Sequence, residues 1–255
     1  SEFSQWMRTQ NTAVKVSKEL IDVLSLFDSW KSKTNGALDP AAEAVSQVWK
    51  TAEKNQVLPS NRSIQSAVAT VNQKHWSIDY ANNTVTHLTN APLMLNTFVK
   101  SYIIDQATKK VVADTGISGV VMNIGGDILV KGNQKETIEI ADPKASAIND
   151  AAIDFLQVQD RFIATSGNYK RGNLIGNQWY SHIVDPRTGF PAENNISATV
   201  VANNATDAGA LATAFNVLTV AESVQLAKEY PDAAYLIITK EGERVESKNW
   251  ASLQI

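Results

Sequence analysis

Residues 181–192 read SHIVDPRTGFPA. The first of these residues alternate as in a β-strand, and the following Asp-Pro-Arg-Thr-Gly suits a tight turn. Asp185 can accept hydrogen bonds within its own turn, Pro186 presets φ, and Gly189 tolerates a positive φ. His182 lies in the strand-like part, beside other residue types that occur in active sites. Two interpretations stay open at this point: a structural turn, or part of an active site.

The composition bounds the classes of protein that are compatible with this chain. Its 255 residues are 44% hydrophobic, which is ample material for a core. The net charge is only -3, and Lys and Arg are scattered, so no surface for nucleic acid or an anionic membrane is predicted. There is no cysteine, which excludes disulfides and thiolate metal sites. No segment has the pattern of a transmembrane helix.

The order of patterns along the chain predicts an α+β fold. Three helices are expected first, in VSKELIDVLSLFDSWKSK, in PAAEAVSQVWKTAEKN and in SIQSAVATVNQ, with Ser17 and Asp39 as N-caps. A hairpin in WSIDYANNTVTHL follows, then a mixture of helices and short strands, one of which is WYSHIV. No linker interrupts the chain. We therefore predict one domain over residues 1–255, with a helical N-terminal part and a mixed or antiparallel sheet core.

Several residues suit the binding of phosphate or metal. Lys100 begins a helix, where it can reach a phosphate, although such a lysine often only extends its ammonium group to solvent. The pair Gly125-Gly126 permits close approach of a ligand or of another backbone segment. Asp207 and Thr213 are oxygen ligands of the type that Mg²⁺ takes, although Asp207 also suits a helix N-cap. Each signal is weak by itself.

The succession of these blocks resembles a known family. NGALDP, LNTFVKSYIIDQA, NIGGDILVKG, ATSGNY, YSHIVDPRTGFPA and ALATAFNVL follow one another as in the FAD:protein FMN transferases, also called ApbE. The resemblance runs from Ser1 to about Gly242. It implies transfer of the FMN half of FAD to a threonine or serine of an acceptor protein, with release of AMP and with Mg²⁺ as cofactor. It also implies an acceptor such as a membrane redox-pump subunit, and a bacterial periplasmic or extracytoplasmic location, often as a lipoprotein.

The resemblance also implies roles for individual residues. Ala37, Leu38 and Asp39 correspond to an adenosine-contacting segment, and Lys100 to a catalytic lysine near the diphosphate. The residues on the flavin side are His182, which is also a catalytic candidate, and Ile183. The metal ligands are Thr97, through its backbone carbonyl, Thr213, and Asp207 as a replacement for a missing aspartate.

This chain departs from the family's pattern at two blocks. The residue four before Thr213 is the family's Mg²⁺-binding aspartate, and here it is Gly209. The family's block D-x-G-G-I-A-K-G is here MLNTFVKS, from Met94 to Ser101, without the acidic residue and the glycines. Ser1-Glu2-Phe3 resembles a point inside the family's domain, so the resemblance implies that a hairpin with part of the flavin wall would precede it. Two hypotheses follow: an active flavin transferase, or a degenerate member that acts as a flavin-binding or protein-interaction module. Hydrolysis of FAD needs the same metal as transfer.

Overall fold

A computed structural model describes residues 1–145 and 152–255. The α+β prediction is confirmed, because helices and antiparallel strands are both present throughout. Two compact units share the chain. Unit 1 comprises Ser1–Met94, Asn173–Gln178 and Val184–Phe190, and unit 2 comprises Leu95–Gly172, Trp179–Ile183 and Pro191–Ile255.

Unit 1 contains the predicted N-terminal helices and a small antiparallel sheet. Ser17 accepts a hydrogen bond from the Leu20 backbone and caps α2, as predicted. Asp39 caps a 3-10 helix instead of α3 itself, since Pro40 begins a short tight turn before the α-helix. The sheet has the order β1-β3-β2. The elements are α1 (Glu2–Trp6), β1 (Ala13–Lys15), α2 (Lys18–Lys33), the 3-10 helix Pro40–Ala42, α3 (Glu43–Asn55), α4 (Asn61–Val71), β2 (Trp76–Asp79) and β3 (Thr84–His87).

Aromatic side chains form the core of unit 1. Trp6, Phe27 and Trp30 are almost completely buried. The indole of Trp6 donates to the carbonyl of Val85 at 3.2 Å, so its one polar atom is satisfied inside the core. The three rings are among the largest fully buried side chains, so they contribute strongly to the apolar core of unit 1.

Unit 2 is built on a six-stranded antiparallel sheet with the order β15-β14-β13-β8-β5-β4. The alanine-rich helix α6 packs on β13 and β8 and also contacts α5. The pair β6-β7 forms a second sheet. The elements are α5 (Val99–Thr115), β4 (Gly119–Ile124), β5 (Asp127–Gly132), β6 (Glu136–Ala141), β7 (Ala152–Val158), β8 (Arg161–Gly167), β13 (Asn195–Ala202), α6 (Ala205–Val217), α7 (Val220–Ala227), β14 (Ala234–Thr239), β15 (Arg244–Glu246) and the 3-10 helix Trp250–Ser252.

Four short strands lie in the part of the sequence in which residues of unit 1 and unit 2 alternate. They are β9 (Gly172–Ile175), β10 (Gln178–Ser181), β11 (Val184–Asp185) and β12 (Phe190–Pro191). The expected continuous strand WYSHIV is wrong, because β10 ends at Ser181 and β11 begins at Val184. His182 and Ile183 therefore lie in a break between two strands. In the part of the chain that the structure describes, no helix is long and apolar enough to cross a membrane.

Candidate functional site

The turn Asp185 to Gly189 is fixed by its own side chains. Oδ1 of Asp185 accepts from the backbone N–H of Arg187 at 2.9 Å, and the guanidinium of Arg187 contacts both carboxylate oxygens. The N–H of Gly189 donates to the carbonyl of Asp185 at 2.8 Å. Gly189 has φ of +79°, as the turn requires. The prediction of a tight turn in this stretch is confirmed.

The same turn is packed tightly within unit 1. The indole N–H of Trp49 donates to the carbonyl of Gly189 at 3.0 Å. A Cβ added to Gly189 would lie 2.6 Å from Cγ2 of Ile64 and 2.9 Å from Cγ2 of Val68. Both neighbours are β-branched side chains on a helix, which have little freedom to turn away. Glycine at position 189 is therefore required by the backbone and by the available space.

The predicted adenosine segment is mostly buried. Ala37 and Leu38 are each 2% exposed, so their side chains serve the core of unit 1. Asp39 accepts from the N–H of Ala41 at 2.8 Å and forms an ion pair with Lys31. It also borders a cleft of about 480 Å³. Of the three residues, Asp39 is the one that reaches an opening, and the adenosine-binding role of all three stays a prediction.

Two titratable groups on that cleft have altered proton affinity. Burial lowers the pKa of His75, whose Nδ1 lies 2.8 Å from Oγ1 of Thr89 and whose Nε2 lies 3.2 Å from the carbonyl of Val71. Because a carbonyl only accepts, Nε2 carries the proton in the neutral ring. Burial also raises the pKa of Asp28, although the indole N–H of Trp76 donates to it.

The His182 side chain is exposed, and the residue forms hydrogen bonds to Arg171 of unit 2. Its Nδ1 lies 2.9 Å from the carbonyl of Arg171, and its backbone N–H donates to the same carbonyl. The carbonyl can only accept, so in the neutral ring Nδ1 carries the hydrogen and Nε2 has the lone pair. This tautomer can take a proton at Nε2. Ile183 is half-buried beside it, and its N–H donates to Oγ of Ser181 at 2.9 Å.

Lys100 lies at the start of α5, as predicted, and Asp127 holds its ammonium group. Nζ of Lys100 lies 3.2 Å from Oδ1 of Asp127, while Oγ of Ser101 donates to Oδ2 of Asp127 at 2.9 Å. The Lys100 side chain is 44% exposed and that of Asp127 only 8%. Asp127 does not stand out in the sequence. The available signal is that an acidic residue directly follows the pair Gly125-Gly126.

The glycine pair leaves space beside this ammonium group. A Cβ on Gly125 would lie 3.9 Å from Nζ of Lys100, and a Cβ on Gly126 would have no atom within 4 Å. Both glycines have positive φ, at the turn between β4 and β5. A polar ligand therefore has open access to Lys100 from this turn.

The proposed metal ligands lie just before α5 and on α6, and their role in metal binding stays a prediction. Asn204, not Asp207, caps α6, and Oγ1 of Thr213 donates to the carbonyl of Gly209 at 3.1 Å. Asp207 lies in the first turn of α6, and Thr97 lies before α5. Within the described ranges, no group of three or more His, Cys, Asp or Glu residues is placed to hold a metal ion. The residues present do not match the oxygen-rich, carboxylate-containing donor set that Mg²⁺ takes.

The space beside Gly209 is restricted by its neighbours. A Cβ at this position would lie 2.6 Å from Oγ of Ser101 and 3.3 Å from Cα of Phe98. The space beside Gly209 is therefore occupied by the hydroxyl group that binds Asp127. A side chain at position 209 requires Ser101 to move.

Asn168 of the ATSGNY block has a structural role. Its side-chain amide donates to the carbonyls of Ala192 and Asn195 at 3.1 and 2.9 Å, and the residue is buried. Lys170 lies over the ring of Tyr169 at 5.5 Å, so this end of the hairpin has a cation–π contact.

Comparison with known proteins identifies relatives along the whole chain. The sequence model of the ApbE family matches residues 1–237. The FAD:protein FMN transferase of Escherichia coli K12 is 26% identical over 247 residues, which cover 94% of this chain and 69% of that protein. The FAD:protein FMN transferase of Treponema pallidum is also 26% identical, over 88% of this chain and 67% of its own length.

Solved structures agree with the sequence relatives. The ApbE protein of Thermotoga maritima superposes with a TM-score of 0.88 at 25% identity, over 100% of this chain and 84% of that one. The flavin transferase ApbE of Vibrio cholerae superposes with a TM-score of 0.79 at 23% identity, over 99% of this chain and 82% of that one. The second likeness concerns the fold alone.

Proposed function

The chain belongs to the ApbE family, and we propose that it transfers FMN from FAD to a threonine or serine of an acceptor protein. In this reaction the acceptor hydroxyl oxygen forms a bond to the phosphorus of the FMN half. The bond from that phosphorus to the bridging oxygen breaks, and AMP leaves with the electron pair. The hydroxyl proton passes to a base.

The observation that carries this proposal is the placement of Lys100. Its ammonium group is fixed by Asp127 and borders the open turn at Gly125 and Gly126. Transfer of a phosphoryl group depends on positioning and on positive charge, because charge is spread over the oxygens in the transition state. A fixed ammonium that is open to a ligand supports binding of a diphosphate.

His182 is the base that we propose for the acceptor hydroxyl. Its neutral tautomer has the lone pair on Nε2, because Nδ1 is engaged with the carbonyl of Arg171. Ile183 next to it offers an apolar contact for the flavin side of the substrate.

The acceptor and the location are proposals that rest on resemblance. We propose an acceptor that presents an accessible threonine or serine, such as a subunit of a membrane redox pump, and an extracytoplasmic, periplasmic location. Mg²⁺ is not part of the proposal, because the donor set near Gly209 does not fit it.

The test is an assay of the full chain with FAD, with and without an acceptor protein that contains the target threonine. AMP is measured by chromatography, and covalent flavin by fluorescence of the acceptor band after denaturing electrophoresis. We expect AMP and a fluorescent acceptor in equal amounts, and loss of both in Lys100→Met. Lys109→Met is the matched control, because Lys109 lies on the same helix and pairs only at the surface with Asp105.

One observation favours the second hypothesis, a flavin-binding or protein-interaction module without transfer: Gly209 lies where the family has its metal-binding aspartate. The same assay separates the cases. Bound FAD without any AMP supports the module and contradicts transfer. AMP without a fluorescent acceptor indicates hydrolysis of FAD instead.

A further inference from the structure

Ser101 lies directly beside Gly209, and this contact bears on which cation the site near Lys100 can contain. We propose that Ser101 excludes a divalent metal from the site, and that the ammonium group of Lys100 is the positive charge that the diphosphate meets. The role of Lys100 rests on the proposed function, whereas the role of Ser101 does not. Ser101 and Asp127 are positioning residues in this proposal.

The exclusion follows from space. The two positions lie on different helices, α5 and α6, which pack against each other. A Cβ at position 209 would lie 2.6 Å from Oγ of Ser101 and 3.3 Å from Cα of Phe98. The Ser101 hydroxyl is the closer contact, and it has to move before a side chain fits at position 209. An aspartate there needs this space for its own side chain.

Charge adds to this exclusion through the same serine, which is one of the two donors to Asp127. Both oxygens of the Asp127 carboxylate already have donors, Nζ of Lys100 at 3.2 Å and Oγ of Ser101 at 2.9 Å. A metal ion next to Asp127 would compete with these donors for the lone pairs of the carboxylate and would lie close to the Lys100 ammonium. Two like charges at such a distance repel strongly in a partly buried site. The present arrangement therefore uses its one buried carboxylate to hold a lysine.

The Lys100 ammonium is suited to act in place of the metal. A lysine is a compact charge with three N–H donors, and it binds phosphate as a point charge. Asp127 fixes it from the buried side, while the side chain remains 44% exposed toward a ligand. The space beside Gly126 admits that ligand.

The first experiment measures binding of Mn²⁺ to the full chain by electron paramagnetic resonance of free Mn²⁺. The wild type is compared with Gly209→Asp and with the double variant Ser101→Gly/Gly209→Asp, and circular dichroism checks that each is folded. We expect the double variant to bind Mn²⁺ about tenfold or more tighter than the other two proteins. Equal binding by Gly209→Asp and the double variant would overturn the role of Ser101. So would tight binding by the wild type, or a folded double variant that binds no better than the wild type.

A second experiment leaves positions 101 and 209 unchanged. Binding of FAD is titrated by isothermal calorimetry in EDTA and then in MgCl₂. We expect one dissociation constant in both buffers, about tenfold weaker binding for Lys100→Met, and unchanged binding for Lys109→Met. Binding that disappears in EDTA, or that survives Lys100→Met, would overturn the role of Lys100. A chain that binds no FAD in either buffer contradicts the proposed function and the role of Lys100, and the Mn²⁺ measurement still decides the role of Ser101.

Discussion

Two glycines of this chain would each bring an added Cβ equally close to a neighbour, but glycine is required at the two positions for different reasons. A Cβ on Gly189, in unit 1, would lie 2.6 Å from a methyl group of Ile64, and a Cβ on Gly209, in unit 2, would lie 2.6 Å from Oγ of Ser101. Gly189 also has φ of +79°, whereas Gly209 lies inside the helix α6. The first glycine is therefore required by its backbone and by rigid neighbours. The second is crowded mainly by one small hydroxyl group and, less closely, by Phe98.

The largest effect is expected for Gly189→Ala. The methyl group meets Ile64 and Val68, and the left-handed backbone is unfavourable for alanine, so the free energy of unfolding should fall by about 2–4 kcal/mol. Urea denaturation measures it. Gly176→Ala is the matched control, because Gly176 has φ of +61° and no neighbour within 4 Å; it should cost only about 1 kcal/mol. Equal losses for the two variants would show that packing at Gly189 contributes nothing.

The next effect is a coupling between positions 101 and 209. Gly209→Ala forces Ser101 to give up its hydrogen bond to Asp127, whereas in a Ser101→Ala background this bond is already absent. A double-mutant cycle from urea denaturation should give a coupling energy of about 1–2 kcal/mol, with Gly209→Ala better tolerated in the Ser101→Ala background. Additive effects would mean that the protein accommodates the methyl group at position 209 without loss of the hydrogen bond from Ser101 to Asp127.

A smaller effect is expected for Asp185→Ala. The substitution removes the acceptor for the backbone N–H and guanidinium of Arg187, while the bond from Gly189 to the carbonyl of residue 185 remains. We expect a loss of about 1 kcal/mol in the free energy of unfolding. Asp185→Asn, which keeps an acceptor oxygen, should recover part of it. A larger loss than for Gly189→Ala would reverse the ranking of packing over hydrogen bonding in this turn.

The smallest effect concerns pH and separates the two units. Burial holds the pKa of His75, in unit 1, below its ordinary value of 6.5. As the pH falls, His75 therefore takes up a proton in the unfolded chain before it does so in the folded protein. The stability that comes from the neutral His75 is complete above pH 6.5 and is lost as the pH falls below this value. His75→Gln should flatten the dependence of the urea midpoint on pH from 7.5 to 5. An unchanged slope would exclude His75 as its source.

Unit 2 should respond to acid only at lower pH. Burial by itself would raise the pKa of Asp154, but hydrogen bonds from Trp250, Gln254 and Arg244 outweigh it and lower the pKa below 3.8. The carboxylate therefore contributes stability above pH 3.8, and this is lost as the pH falls through the lowered value. In Asp154→Asn, the urea midpoint should change less between pH 4.5 and 2.5 than in the wild type.

Local patterns predict the local elements well. The apolar spacing after Ser17, and the turn residues between β2 and β3, depend on neighbours only a few positions away, and the corresponding helix and hairpin are present. The end of β10 is different. The alternation continues through His182, but the strand ends before it, because its N–H bonds to Arg171 outside any strand. Alternation describes the faces of a strand and does not reveal where pairing stops.

The candidate site depends on contacts that no local pattern contains. Ser101 and Asp127 are 26 positions apart, and Gly209 lies on a later helix. Their proximity follows from the packing of α5 on α6 and on β5. The resemblance draws attention to Gly209, but the fold is needed to show that its nearest neighbour is a side chain more than a hundred positions earlier.

The contact between Ser101 and Gly209 also constrains the order in which substitutions can accumulate. From the present pair to glycine at 101 and aspartate at 209, one route passes through serine with aspartate, which is crowded, and the other through two glycines, which leaves a void and weakens two helices. Each route has a less stable intermediate, so neither position changes freely by itself. The pair is therefore an epistatic barrier to the exchange of these residues by single neutral steps.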